Sequence, residues 1–295
     1  LAMAVEKAKE TDAELVMASD PDADRVGAAV KNNEGEWVLL NGNQTALMFV
    51  YYLITRWKEL GKINGKEYIV KTIVTTETIK TIAERNGVEM YDVYTGFKWI
   101  ANVMRENEGK KNYIGGGEES YGFLCEDFVR DKDAVSACVI LAEIAAWAKD
   151  QGLSLYQLLQ KIYVEYGFSK EKGISVVKKG KSGAEEIEAM MKKFRENPLT
   201  EIAGSKVTYF YDYSTLKGKD YAENETVTLD MPTTSNVLQY FTEDNTKVSI
   251  RPSGTEPKIK FYCEVHSKVK SIDELPEAEK AAEEKINQIK ASLGI

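Results

Sequence analysis

Histidine is nearly missing from this chain, one residue in 295, and cysteine is scarce at three. The cysteines, Cys125, Cys138 and Cys263, lie far apart without C-x-x-C spacing. That excludes a disulfide framework or a zinc site and fits a reducing, cytoplasmic setting. The lone His266 ends an expected strand with no second histidine or cysteine nearby, so it reads as structural or solvent-facing. Long apolar runs are also missing. The most apolar stretch, 137–148, is interrupted by Glu143 and is too short to span a bilayer. No signal-peptide pattern, repeat or low-complexity tract is present. There is no Lys/Arg-dense stripe, and the net charge is −8, which excludes electrostatic binding of nucleic acid. A phosphorylated small molecule needs only a local cluster of donors and stays open as a ligand. The chain opens at Leu1, already among helix-forming residues and without an initiator Met, which reads as a cut through a domain.

What is present is an ordinary globular composition, 43% hydrophobic and 29% charged, at a length that suits about two domains. Residues 4–9 read as helix, and 14–19, 26–30 and 37–40 as strands around the turn Asn32-Asn33-Glu34-Gly35. From 41 to 167 helices (44–60, 78–86, 98–107, 134–149, 155–166) alternate with strands (68–75, 88–94, 113–115), the pattern of an α/β layered sheet; Gly87 closes the second helix. After Gly167 come a strand at 173–178 and a helix capped by Ser182 and ending before Pro198. Short strands at 206–211, 226–229, 237–241, 247–250 and 258–266 and a charged helix at 271–293 complete an α+β domain.

The first chemistry-bearing segment is Asp20-Pro21-Asp22-Ala23-Asp24-Arg25. Three carboxylates at alternate positions after an apolar strand converge if the backbone is extended. Their repulsion calls for a cation, and an all-oxygen set suits a hard one such as Mg²⁺. Arg25 adds a planar fork suited to phosphate. An EF-hand fails here, because Arg25 and Lys31 stand where that loop needs Gly and a bidentate Glu. A haloacid-dehalogenase-like phosphatase also follows a strand with Asp-x-Asp, but expects Thr or Val where Asp24 stands. It remains the alternative enzyme, with Asp20 as nucleophile.

The second segment is Gly115-Gly116-Gly117-Glu118-Glu119-Ser120-Tyr121-Gly122. Its glycines would let the backbone approach a ligand, and Glu118 and Ser120, two apart, could both face a polyol. A turn with a solvated Glu pair explains the composition equally well. Neither a dinucleotide fingerprint nor a nucleophile elbow fits the spacing. Arg130-Asp131-Lys132-Asp133 reads as a solvated charge run, and Thr95-Gly96-Phe97-Lys98 as a turn into a helix. The third segment, Arg251-Pro252-Ser253-Gly254-Thr255-Glu256-Pro257, sits between two strands. Arg251 offers a bidentate fork, Ser253 and Thr255 hydroxyls, and Gly254 a place where backbone N–H groups can converge on an anion. A bare hairpin turn explains the Pro and Gly but not Arg, Ser and Thr arriving together.

In this order, Asp-Pro-Asp-Ala-Asp-Arg (20–25), Gly-Glu-Glu-Ser-Tyr-Gly (117–122) and Arg-Pro-Ser-Gly-Thr-Glu-Pro (251–257) resemble the α-D-phosphohexomutases, the phosphoglucomutase/phosphomannomutase superfamily. The resemblance spans nearly the whole chain. It implies an α/β fold, a three-layer mixed-sheet mutase domain followed by a smaller α+β C-terminal domain. Segment 1–40 would be the end of a second domain with the metal loop, 41–167 a third, sugar-binding domain, and 168–295 a fourth, phosphate-binding one. It implies Mg²⁺ on Asp20, Asp22 and Asp24, with Arg25 near the transferring phosphate. Glu118 and Ser120 would hold sugar hydroxyls, Thr95 and Gly96 would belong to a further substrate loop, and Lys132 would lie near the reacting hydroxyl. Arg251, Ser253, Gly254 and Thr255 would grip the phosphate that is not reacting. The implied reaction interconverts hexose 1-phosphate and hexose 6-phosphate through a phosphoserine and a hexose 1,6-bisphosphate, an intramolecular phosphotransfer. Gly122, where dual-specificity bacterial members tend to carry His, leans the reading to glucose. The family's serine loop, Thr-Ala-Ser-His-Asn-Pro-like, does not occur in these residues. The expectation is therefore a C-terminal half that binds metal and sugar phosphate weakly and does not catalyse, in effect a sugar-phosphate binding module.

Overall fold

Residues 1–40 fold as α1 (Ala2–Glu10) and an antiparallel meander of β1 (Leu15–Ser19), β2 (Val26–Lys31) and β3 (Trp37–Leu40). Ala8, Val16 and Ala29 form a small core there, with Val5, Ala13 and Trp37 packed on it. The computed structural model describes every residue except Lys179 and Thr255, and the backbone alone of Gly180 and Lys181. Two compact units result, Leu1–Gly167 and Phe168–Ile295.

In the first unit α2 (Gly42–Glu59) is buried almost all round from Gly42 to Ile54. A helix without a polar face belongs inside a domain. Asn41 starts it with a capping box: its side chain accepts from Gln44 N–H at 2.8 Å, and Gln44 accepts from Asn41 N–H at 3.0 Å. β4 (Glu67–Thr72) is buried at every position and sits centrally. Parallel neighbours β5 (Glu89–Val93) and β6 (Asn112–Gly117) flank it, reached through α3 (Thr78–Arg85) and α4 (Phe97–Asn107), and β7 (Phe123–Cys125) returns antiparallel to β6. Parallel strands need such helical crossovers. Helices cover both faces of this sheet. Tyr68 and Val70 pack against Phe97, Ile100 and Met104 of α4, while Gly115, paired with Ile69, turns towards Leu53 of α2. Phe49 stacks on Phe123 at 4.5 Å. Two further helices, α5 (Ala134–Asp150) and α6 (Leu155–Tyr166), pack against α2 and against the meander. Segment 1–40 thus lies in one unit with 41–167.

The second unit begins with β8 (Phe168–Val177) and α7 (Gly180–Glu196). Then follow β9 (Glu201–Ile202), β10 (Ser205–Asp212), β11 (Lys217–Asp220), β12 (Glu225–Thr228), β13 (Leu238–Thr242), β14 (Lys247–Pro252) and β15 (Lys258–Ser267). They form one antiparallel sheet in the order β12-β11-β10-β13-β14-β15-β8, with β9 on β10. A 3-10 turn (Ile272–Glu274) leads into α8 (Leu275–Leu293). α8 buries Leu275, Ala282, Ile286, Ile289 and Leu293, spaced along one face, and packs on β15 and β8.

Beyond β7, β9 and β11, which were not expected, and β8, which starts at Phe168 and not at 173, three differences have a local cause. β4 stops at Thr72, because Thr72 and Thr75 bond to each other (2.8 Å) and Asn43 takes the Thr76 N–H (3.0 Å), pulling the chain into a turn. α7 starts before Ser182, which lies inside the first turn and not at the cap. Gly183 packs so closely on the Lys178 backbone that a Cβ there would sit 2.5 Å from it, so the turn begins directly against the end of β8. The last helix starts at Leu275 and not at 271, with Pro276 in its first turn, where a missing N–H costs nothing. Among the described residues no helix is long and apolar enough to cross a membrane.

Candidate substrate and metal site

The acidic loop joins β1 to β2. It is a turn and not an extended strand: Ala23 N–H donates to Asp20 O at 3.0 Å, and Ala23 has φ 56. The carboxylates meet nonetheless, with one oxygen each of Asp20, Asp22 and Asp24 within 4.8 Å of one another. Period-two alternation is therefore not what brings them together; the turn is. Asp20 Oδ1 accepts the N–H groups of Asp24 and Arg25, both at 3.0 Å. The Arg25 N–H above all, helped by the Asp24 N–H, holds the Asp20 carboxyl below the usual carboxylate range against the opposing effect of desolvation. Asp24 Oδ1 is buried and has no hydrogen-bond partner among the described residues. Arg25 Nε lies 3.6 Å from Asp24 and 3.9 Å from Asp20. An all-oxygen trio with one buried oxygen that makes no hydrogen bond among the described residues fits a hard divalent cation.

Segment 130–133 is a solvated run only in part: Arg130 and Asp131 are exposed, Lys132 and Asp133 are not. Asp133 caps α5, accepting from the Val135 and Ser136 N–H groups, and Arg130 pairs with Glu108 at 2.9 Å. Lys132 points inward, 15% exposed, its Nζ 2.5 Å from Asp24 Oδ2 and 3.5 Å from Asp131 Oδ1. Desolvation alone would lower its pKa, but the hydrogen bond to Asp24 and the two nearby carboxylates raise it.

The Gly-Glu loop is the tight connection between β6 and β7, closed by Glu118 N–H to Gly122 O at 2.9 Å. Its glycines serve strand packing. A Cβ at Gly116 would lie 2.3 Å from Val70 O, and one at Gly117 2.6 Å from Gly122 O. Glu118 is 6% exposed, and its carboxylate accepts the Gly96 N–H at 2.7 Å, so the loop bearing Thr95 and Gly96 is tied to it. Ser120, in the same loop, is half-buried. Val26 N–H donates to Tyr121 O, and Arg25 forms a β-bridge with Gly122. The first unit thus brings Asp20, Asp22, Asp24, Arg25, Lys132, Glu118, Ser120, Thr95 and Gly96 onto adjoining loops.

The phosphate loop belongs to the second unit, as the β14–β15 hairpin. Arg251 and Pro252 end β14, Ser253 N–H donates to Lys258 O at 2.8 Å, and Glu256 N–H to Ser253 Oγ at 3.3 Å. Arg251 Nη1 is buried without a partner among the described residues, as a donor reserved for an anion is. Gly254 is open, with nothing within 4 Å of a Cβ position. Thr255 lies outside the described residues. His266 sits within the sheet, its Nδ1 3.1 Å from Ser169 Oγ on the neighbouring strand.

Two family models match the chain. One is the phosphoglucomutase/phosphomannomutase alpha/beta/alpha domain III, over residues 41–166, and the other the phosphoglucomutase/phosphomannomutase C-terminal domain, over 175–282. The chain belongs to the phosphoglucomutase/phosphomannomutase family. Among curated relatives, a phosphoglucomutase of Staphylococcus aureus (strain MRSA252) is 38% identical over 259 residues, which is 88% of this chain and 46% of that protein. A phosphoglucomutase of Staphylococcus haemolyticus (strain JCSC1435) is 33% identical over 264 residues, 90% of this chain and 47% of that one. The chain spans about half the length of the curated relatives it matches. Among solved structures, a phosphoglucomutase/phosphomannomutase family protein from Burkholderia thailandensis aligns with TM-score 0.60 at 18% identity, over 98% of this chain and 49% of that one. The open form of pp63/parafusin from Paramecium aligns with TM-score 0.58 at 17% identity, over 94% and 45%. At such identities these likenesses show the fold alone.

The supports of these loops are not legible as motifs in the sequence. Gly42 lies against the Glu119 backbone, where a Cβ would be 2.0 Å from Glu119 O. Thr72 Oγ1 donates to Glu119 Oε2 at 3.3 Å. The threonines at 72, 75 and 76, crowded after an apolar strand, were the available signal. Gly42 gave none, because the contact is long-range.

Proposed function

We propose that this chain carries the metal, sugar and phosphate sites of a hexose-phosphate mutase interconverting hexose 1-phosphate and hexose 6-phosphate, with glucose the preferred sugar. The observation that carries the reading is the junction in the first unit: Glu118 bound to Gly96, Lys132 to Asp24, and Arg25 bridged to Gly122. One surface there offers carboxylates to a cation, fixed cationic donors to a phosphoryl group and a buried carboxylate to sugar hydroxyls. Phosphoryl transfer needs such positioned charge more than covalent chemistry from the protein.

Asp20, Asp22 and Asp24 would hold Mg²⁺, which when bound supplies charge that offsets the phosphate oxygens. Arg25, 53% exposed at its side chain, orients the reacting phosphate by its fork. Glu118 and Ser120 orient the ring through its hydroxyls, with Thr95 and Gly96 beside them. Lys132 supplies a proton or positive charge near the reacting hydroxyl. In the second unit Arg251, Ser253, Gly254 and Thr255 hold the other phosphate. In the whole protein a phosphoserine and a hexose 1,6-bisphosphate complete the cycle, in the cytoplasm, where three unpaired cysteines are at home. These 295 residues hold no serine loop of that kind, so the chain by itself binds and does not turn over.

Support for the mutase over a haloacid-dehalogenase-like phosphatase comes from the family matches, both of them to the mutase. It also comes from Asp20, whose Oδ1 is committed to two backbone N–H groups. Calorimetric titration of the purified chain with glucose 6-phosphate in the presence of Mg²⁺ tests the reading. Saturable binding, lost in Glu118→Ala and in Arg251→Ala, is expected; no heat beyond that of inorganic phosphate would refute sugar recognition.

A further inference from the structure

We propose that Lys132 is a built-in counter-ion of the acidic loop, that it reaches Asp24 only because residue 122 has no side chain, and that a divalent cation must compete with it. This rests on the reading of Asp20, Asp22 and Asp24 as cation ligands. Two independent contacts lead to it. The Lys132 ammonium lies 2.5 Å from Asp24 Oδ2, on the same carboxylate whose buried Oδ1 makes no hydrogen bond among the described residues and lies 3.6 Å from Arg25 Nε. The lysine stem runs across Gly122, where a Cβ would sit 2.7 Å from Lys132 Cδ and 3.5 Å from Lys132 Cβ.

Gly122 has no left-handed φ to preserve, so alanine meets no backbone strain there. Its methyl group presses on a flexible stem, and the stem is what yields. The same Cβ position lies 3.6 Å from Glu118 Oε2, so lysine stem and sugar-loop carboxylate flank one point. A cation entering the trio meets an ammonium already neutralising Asp24, and two like charges on one carboxylate repel. A cation on the trio would therefore displace Lys132 from Asp24, with Asp131, 3.5 Å from its Nζ, the carboxylate left to pair with it.

Mn²⁺ titration of the 295-residue chain, followed by electron paramagnetic resonance of the free ion, tests this without any turnover. Lys132→Met keeps the stem and removes the charge; it is expected to tighten Mn²⁺ about five-fold or more, as loss of one partly buried ion pair implies. Gly122→Ala is expected to tighten Mn²⁺ in the parent chain and to add nothing in the Lys132→Met background. Unchanged or weaker affinity in Lys132→Met overturns the proposal, and so does an equal gain from Gly122→Ala in both backgrounds. Asp24→Asn separates the two levels. If it abolishes Mn²⁺ binding while Lys132→Met changes nothing, the cation site stands and the lysine proposal falls. If the parent and Lys132→Met chains both fail to bind Mn²⁺, or Asp24→Asn leaves binding intact, the cation reading falls and takes the proposal with it. Amide exchange at Val26, whose N–H bonds Tyr121 O, reports whether each variant keeps the loop junction.

Discussion

The Glu118 carboxylate takes the Gly96 N–H at 2.7 Å, with Glu118 6% exposed. Gly96 precedes α4 in a conformation with φ 116, so the bond pins one loop by its backbone to the side chain of another. Hydrogen bonds to a charged group are stronger than neutral ones. Glu118→Ala is expected to cost about 1–3 kcal/mol of stability and to weaken hexose-phosphate binding at least about ten-fold. Urea denaturation and calorimetry on the same variant check both. Full stability with lost binding would mean that the Gly96 bond supports nothing.

Gly42→Ala is a purely steric test of the sugar loop. Alanine in a helix normally gains about 1 kcal/mol over glycine. Here its Cβ would sit 2.0 Å from Glu119 O and 2.8 Å from Tyr121 N, and backbone cannot step aside as a side-chain end can. Overpacking of that kind costs about 1–3 kcal/mol, so a lower melting temperature and weaker sugar-phosphate binding are expected together. A raised melting temperature would contradict the close packing of α2 on this loop.

Arg251 should behave in the opposite way. Its Nη1 is buried without a partner among the described residues, a cost to folding that an anion would offset. Arg251→Gln is expected to leave stability unchanged or higher while phosphate affinity falls about ten-fold, one charge-assisted contact's worth. Thermal melts with and without phosphate measure this. A variant that loses stability without phosphate would show that Arg251 is a structural residue.

Acid should weaken the first unit through Glu67. Burial pushes its pKa up, but the Asn112 side chain and the N–H groups of Asn64 and Gly65 outweigh that and hold it below 4.5. A depressed pKa contributes stability that is complete above the unfolded value and lost as pH falls through the folded one. The stability gap between the parent chain and Glu67→Gln is therefore expected to be constant near neutrality and to shrink as pH drops below 4.5. A gap independent of pH in urea melts would remove Glu67 from the account.

How much the sequence disclosed depended on whether the cause was local. α2, with its Asn41–Gln44 box, and α3, closed by Gly87 at φ 69, were legible because caps and periodicity lie within a few residues. β11 was not, since Lys217-Gly218-Lys219-Asp220 has no strand composition and pairs only because β10 and β12 lie on either side. The three motifs were visible as residue types, but their geometry was not. The acidic loop converges by a turn at Ala23, the glycines at 116 and 117 make room for neighbouring backbone, and the charge run at 130–133 turns Lys132 into the site. The approach of Gly116 to Val70 and of Lys132 to Asp24 depends on contacts made far along the chain, whereas the turn at Ala23 is local and its φ of 56 is uncommon for a non-glycine residue.

The most direct test of the account is glucose 1-phosphate offered to the purified 295-residue chain with Mg²⁺ and a trace of glucose 1,6-bisphosphate. Binding is followed by calorimetry and glucose 6-phosphate by a coupled dehydrogenase assay. Saturable binding and no glucose 6-phosphate above the rate without protein are expected. Conversion by this chain alone would contradict that, because phosphoryl transfer would then be proceeding without the serine loop that these 295 residues do not contain.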